Sequence, residues 1–505
     1  MARRSLLIWL AALLWIVPGT AAAQGRLPEP LQRYVEEALR QSETPGVGIA
    51  IVNGDDPPIA QGFGVRRMGV AALVDADTLF NIGSLAKSFT AAAAAALVDE
   101  GRLGWNDPVV RWLPTMELAD PWLTRQITLA DLLSHRTGLQ AANTAWYRTG
   151  IDRAEILRRV RYLEPAAPFR TQQVYNNALY VVAGEVIAAA GGTSWEDVVR
   201  SRLLRPLGMT RTIVGMASST SGNVATPHVV IGGRQQAIRP GDYVSTAPAG
   251  GIESTARDMV RWLRFQLGDG SFEGRRVLSG ETLQAMHEPW VIIPTTPAMR
   301  SARNVRFFGG YGLGWNVMDY YGHKLLWHSG NNDGVMSYMA LIPERRLGIV
   351  VLQNSWIAQN LRFDLASRIL DHYLGLPTRD YAGETLRAAR AAQARAAPAP
   401  AGPPPAVLPP LELGAYAGLY RSDLYGPVSV TRTARGLVLK LGEGDEAVLT
   451  PLSRDTFAVR WRNRIWGEFG DTRVTFALDD SGRPARLSML VVRDRVEARR
   501  VEPAR

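Results

Sequence analysis

Between Ala397 and Pro405 the chain reads Ala-Pro-Ala-Pro-Ala-Gly-Pro-Pro-Pro. No helix or strand ladder runs through such a stretch, because proline fixes its own φ and has no amide proton to donate. With the alanine and arginine residues before it, segment 384–410 reads as a linker. The chain must therefore fold as two units, residues 24–383 and residues 411–505. A length of 505 residues already exceeds one ordinary domain, and a hydrophobic content of 46% allows a large core.

The two units differ in periodicity. In the first, Pro28 to Ser42 has the spacing of an amphipathic helix, and Val47 to Gly54 reads as a buried strand turning at Asn-Gly. Helical segments dominate from Asp152 to Leu207. Strands follow at Tyr311–Asp319, Lys324–His328, Met336–Ile342 and Leu347–Gln353, then a helix near Leu361 to Leu374. Helices inserted within a mainly antiparallel sheet predict an α/β or α+β architecture rather than a doubly wound one. In the second unit, Ala415 to Val501 alternates polar and apolar residues between turn residues, which fits a small β-barrel or sandwich.

Arg3 and Arg4, the apolar run Leu6 to Val17, and Ala21 and Ala23 form the pattern of a signal peptide over residues 1–23. A periplasmic or secreted protein is expected, with no transmembrane anchor after cleavage. Cysteine is absent, which excludes disulfides and thiolate metal sites. The net charge of +10 is scattered among acidic residues rather than gathered in a stripe with aromatics, so nucleic acid is not an expected partner.

The chemistry begins at Asn81-Ile-Gly-Ser-Leu-Ala-Lys-Ser88. Lys87 is one of three lysines among 57 basic residues, the others being Lys324 and Lys440. A chain that otherwise uses arginine has kept here an amine that can lose its proton. On a helix, positions i and i+3 share a face, so Ser84 should present its hydroxyl beside Lys87, a weak nucleophile next to its activator. The alanine-rich run after it predicts a buried helix stopped at Gly101, with Ser84 in its first turn. Tyr175-Asn176-Asn177 supplies a phenol and a carboxamide on one loop. If cations lie close, the phenolate of Tyr175 is favoured and can accept the Ser84 proton, while Asn177 orients the cluster. His328-Ser-Gly330 ends a strand where a backbone or a ligand approaches closely, so the strand could pair with substrate. The Asn331 N–H would then complete an oxyanion hole with that of Ser84. Lys324 lies four residues from His328, about 13 Å at strand rise, and reads as structural.

The ordered set Ser84-x-x-Lys87, Tyr175-x-Asn177, His328-x-Gly330 resembles the serine β-lactamase and penicillin-binding superfamily, in its class C and DD-peptidase (CubicO-type) branch. The likeness extends to Leu132–Leu139, Arg205–Met209 and Ala249–Asp258, and beyond the linker to a lipocalin-like domain at Tyr416–Tyr420. It implies an antiparallel sheet flanked by helices, Ser84 as acylated nucleophile, Lys87 and Tyr175 sharing general-base work, and neither metal nor cofactor. His328 stands where many relatives have lysine, and a histidine is only partly charged near neutral pH. That departure turns the expectation toward D-amino-acid peptides or peptidoglycan-derived substrates, ahead of esters and then β-lactams. A non-catalytic penicillin-binding or sensing module is the alternative of another class. No G-x-S-x-G or H-E-x-x-H pattern occurs to support an α/β-hydrolase or a zinc hydrolase.

Overall fold

A computed structural model describes residues 25–215, 222–296, 308–356, 361–395, 409–442, 444–462, 472–492 and 494–501. The signal-peptide segment 1–23 and the Ala397–Pro405 run lie outside them. Eight antiparallel strands form the main sheet, in the order Val291–Ile292, Gly309–Tyr311, Asn316–Tyr320, His323–Asn332, Val335–Ile342, Leu347–Gln353, Gly46–Asn53 and Ile59–Gly64. The strands near its middle are buried on both faces, which explains their continuous apolar runs.

Alternation along Gly46–Asn53 divides two cores. Val47, Ile49 and Ile51 face the helices Glu29–Ser42 and Leu361–Tyr373, whereas Ala50 and Val52 join the larger core on the other side. That larger core surrounds the helix Ala86–Asp99, buried from Ala86 to Leu97. Its alanines let neighbouring helices approach closely, and Phe89 stacks on Trp262 with ring centroids 3.7 Å apart. The chain leaves this helix through Gly101, whose φ of +67° suits the left-handed stop.

The second unit is a closed barrel of eight strands between Gly418 and Arg500, each paired with its sequence neighbour and the last with the first. Closure removes the free edges that a sandwich would leave. Tyr416, Phe457 and Phe476 fill one part of its core, with centroids 5.0, 5.1 and 5.6 Å apart. The linker expectation needs a correction at its start. Residues Tyr381–Arg395 form a helix, with Ala382 and Leu386 buried. Alanine, arginine and glutamate are strong helix formers, and packing on the helices Glu29–Ser42 and Leu361–Tyr373 holds them in that form.

Candidate active site

Ser84 lies in a 3₁₀ turn, Gly83–Leu85, that runs directly into Ala86–Asp99, two residues ahead of the α-helix proper. The i, i+3 relation survives this tighter turn. Lys87 Nζ is 3.0 Å from Ser84 Oγ, 2.7 Å from Asn177 Oδ1 and 2.8 Å from the Ala249 carbonyl. The amine is fully buried with no carboxylate among those partners, and burial holds its pKa well below the ordinary lysine value. The amine donates to all three, so the two carbonyl oxygens hold Nζ beside Ser84 Oγ, and its lowered pKa makes a proton easier to lose than from an ordinary lysine.

Asn177 opens the helix Asn177–Gly191, while Asn176 caps it, accepting from the Leu179 N–H. Asn177 Nδ2 in turn donates to Asn143 Oδ1 at 2.9 Å. Tyr175 hydrogen-bonds Ser84, and Lys87 Nζ is 4.8 Å from the centre of its ring. Burial raises the Tyr175 pKa, and the Ser84 hydrogen bond only partly opposes this. Desolvation thus favours the neutral phenol over the phenolate that nearby cations would promote.

His328 is buried, and burial together with Lys87 lowers its pKa to about 3, against the pull of the Ser329 carbonyl. Its Nδ1 faces that carbonyl at 2.8 Å, so this nitrogen carries the proton, and Nε2 accepts from the Tyr311 hydroxyl at 2.9 Å. The partial charge expected at neutral pH is therefore absent. Lys324 does not replace it, since its Nζ pairs with Glu288 at 2.8 Å.

Close packing within the protein itself requires the glycine at 330. A Cβ there would lie 2.1 Å from the Ile82 carbonyl oxygen and 2.2 Å from Ser337 Oγ. Gly83, with φ +53°, completes the contact, since its Cβ would be 2.8 Å from the Asn331 nitrogen. These two glycines bring the Asn331 amide against the turn that carries Ser84. The strand His323–Asn332 pairs through residues 323–327 with Asn316–Tyr320, so from His328 onward that edge has no partner strand among the described residues.

Sequence reasoning missed several members of the cluster. His135 is buried with φ +58°, accepts from the Asn176 N–H through Nδ1 at 3.1 Å, and places its ring 4.2 Å from Tyr175 and 5.0 Å from Tyr180 and from Tyr311. Burial, Lys87 and His328 lower its pKa, so it too is neutral. The motif-like segment Leu132–Leu139 was its one signal, as Ala249–Asp258 was for the Ala249 carbonyl. Asn143 and Tyr311 had none.

A serine beside a buried lysine, beneath an antiparallel sheet with one open strand edge, defines a serine hydrolase of the penicillin-binding type. The chain belongs to the beta-lactamase family: the model described as Beta-lactamase matches residues 31–374. A second, described as a domain of unknown function (DUF3471), matches residues 403–502. Unguisins hydrolase ungD of Aspergillus violaceofuscus is 28% identical over 440 residues, covering 80% of this chain and 76% of that protein. Penicillin-binding protein 4 of Amycolatopsis lactamdurans is 30% identical over 352 residues, covering 67% of this chain and 89% of that protein. The octameric penicillin-binding protein homologue from Pyrococcus abyssi superposes with a TM-score of 0.61 at 22% identity, over 93% of this chain and 99% of that one.

Proposed function

We propose that the protein hydrolyses peptide, amide or ester bonds through an acyl-enzyme on Ser84, acting on D-amino-acid-containing or peptidoglycan-derived peptides. The observation that carries this reading is the buried Lys87 amine, held 3.0 Å from Ser84 Oγ by the Asn177 and Ala249 carbonyl oxygens, with burial lowering its pKa. Lys87 takes the Ser84 proton as Oγ bonds to the substrate carbonyl carbon, and the N–H groups of Ser84 and Asn331 receive the oxyanion. Collapse breaks the C–N or C–O bond. The leaving group takes the proton from Lys87, relayed by the neutral Tyr175 phenol, which donates one proton as it accepts another. Water then attacks the ester, its proton returning to Ser84 through the same groups. An extended substrate would lie along the open edge beyond His328.

A neutral His328 with both nitrogens engaged offers no fixed cation for a drug carboxylate, which supports peptides or esters over β-lactams. Intact mass after mixing with a penicillin tests the nucleophile. An adduct on the wild type that is absent from Ser84→Ala is expected, while equal labelling of both would overturn it. Turnover of D-alanyl peptides against simple esters then ranks the substrates. Export is proposed on the N-terminal pattern, and a mature protein beginning at Gln24 or close to it is the expected result of N-terminal sequencing.

A further inference from the structure

The barrel grips the loop that supports Asn177. Thr144, almost fully buried, donates both its N–H and its hydroxyl to Asp494 Oδ2 in the barrel, at 2.6 and 2.7 Å. The residue before it is Asn143, whose Oδ1 receives the Asn177 amide, and Asn177 Oδ1 receives Lys87. Four residues on, Arg148 spans from Asp333 at 2.6 Å, on the turn after the His328 strand, to Asp445 of the barrel at 3.5 Å. Gly444 permits this seat, since a Cβ there would be 2.5 Å from the Arg148 carbonyl oxygen. Asn143 itself is exposed and, among the described residues, carries no other side-chain hydrogen bond to the catalytic unit. Its position is set by the 3₁₀ turn Asn143–Ala145, which Asp494 pins.

We propose that Asp494 is a positioning residue for the reaction, holding Asn143 so that Asn177 can orient the Lys87 amine. The barrel thereby completes the active site from outside the catalytic unit. This rests on the Ser84 and Lys87 reading above. A carboxylate accepting from two donors is a strong anchor, and its loss lets the turn shift without unfolding either unit.

The test is hydrolysis of p-nitrophenyl butyrate by the full-length protein and its variants. Asp494→Ala is expected to lower kcat about tenfold with KM changed less than about twofold, as for loss of one charge-assisted hydrogen bond felt only at the reacting groups. Asp494→Asn keeps an oxygen that accepts from Thr144 and should recover most of the rate. Glu497→Ala, exposed on the same strand, should match wild type. In an Asn143→Ala background, Asp494→Ala should have no further effect. Thr144→Val, which removes one of the two donors, is run in the same cycle and carries the test if Asp494→Ala fails to fold. Turnover retained by Ser84→Ala would sink the catalytic reading itself. Ser84-dependent turnover indifferent to Asp494→Ala and Thr144→Val, or losses that multiply with Asn143→Ala, would sink the positioning role alone.

Discussion

At the scale of single residues, protonation state decides the chemistry, and burial decides protonation state. Lys87 works as a base only when neutral, so activity should rise with pH through a lysine pKa well below the ordinary value, and a kcat/KM profile of the wild type checks this. Lys87→Met keeps the buried volume and removes the base. It should lower kcat by about 10²–10⁴-fold with the fold intact, and a smaller loss would assign the proton to another group. His328 provides a stability prediction. Its folded pKa of about 3 lies below the ordinary histidine value, so between the two the unfolded chain binds a proton that the folded protein does not. The stabilising contribution is complete above the unfolded pKa and falls as pH drops toward the folded one, by about 1.4 kcal/mol per pH unit. Denaturation at pH 7 and pH 5 should show that loss, and His328→Gln should lessen it.

At the scale of elements, the site depends on how tightly the serine turn meets the His328 strand. Gly330→Ala would drive a Cβ into the Ile82 carbonyl and Ser337, and should destabilise the protein by about 1–3 kcal/mol, with a lowered melting temperature and a weakened Ser84 reactivity. Melting at the wild-type temperature would show that the two elements separate freely. The motifs on these elements were legible because each is local: three residues along a turn place Ser84 beside Lys87 whatever surrounds them. Asn143 was not, since an ordinary loop asparagine leaves no trace in composition. Residues 384–395, most of the helix Tyr381–Arg395, were misread as linker for the opposite reason. The low-complexity composition looks like a spacer until Ala382 and Leu386 find helices to pack against.

At the scale of the whole molecule, one hydrophobic core runs from the catalytic unit into the barrel, and Arg159 reaches across to the Leu424 carbonyl at 3.3 Å. Truncation after residue 395 should expose that shared surface. The shortened protein is expected to aggregate or to melt at a lower temperature with reduced turnover, and a soluble truncation of full activity would show two independent units. The proline run, the alternation of the strands and the three motifs established by themselves two units, a mixed helix and sheet architecture beside an all-β one, and a serine next to a lysine. Those are properties of neighbours along the chain. The shifted pKa values of Lys87, Tyr175 and His328, the hold of Asn143 on Asn177, and the docking of the barrel on that loop were decided by the tertiary structure, because desolvation and long-range hydrogen bonding arise only when distant segments exclude water together.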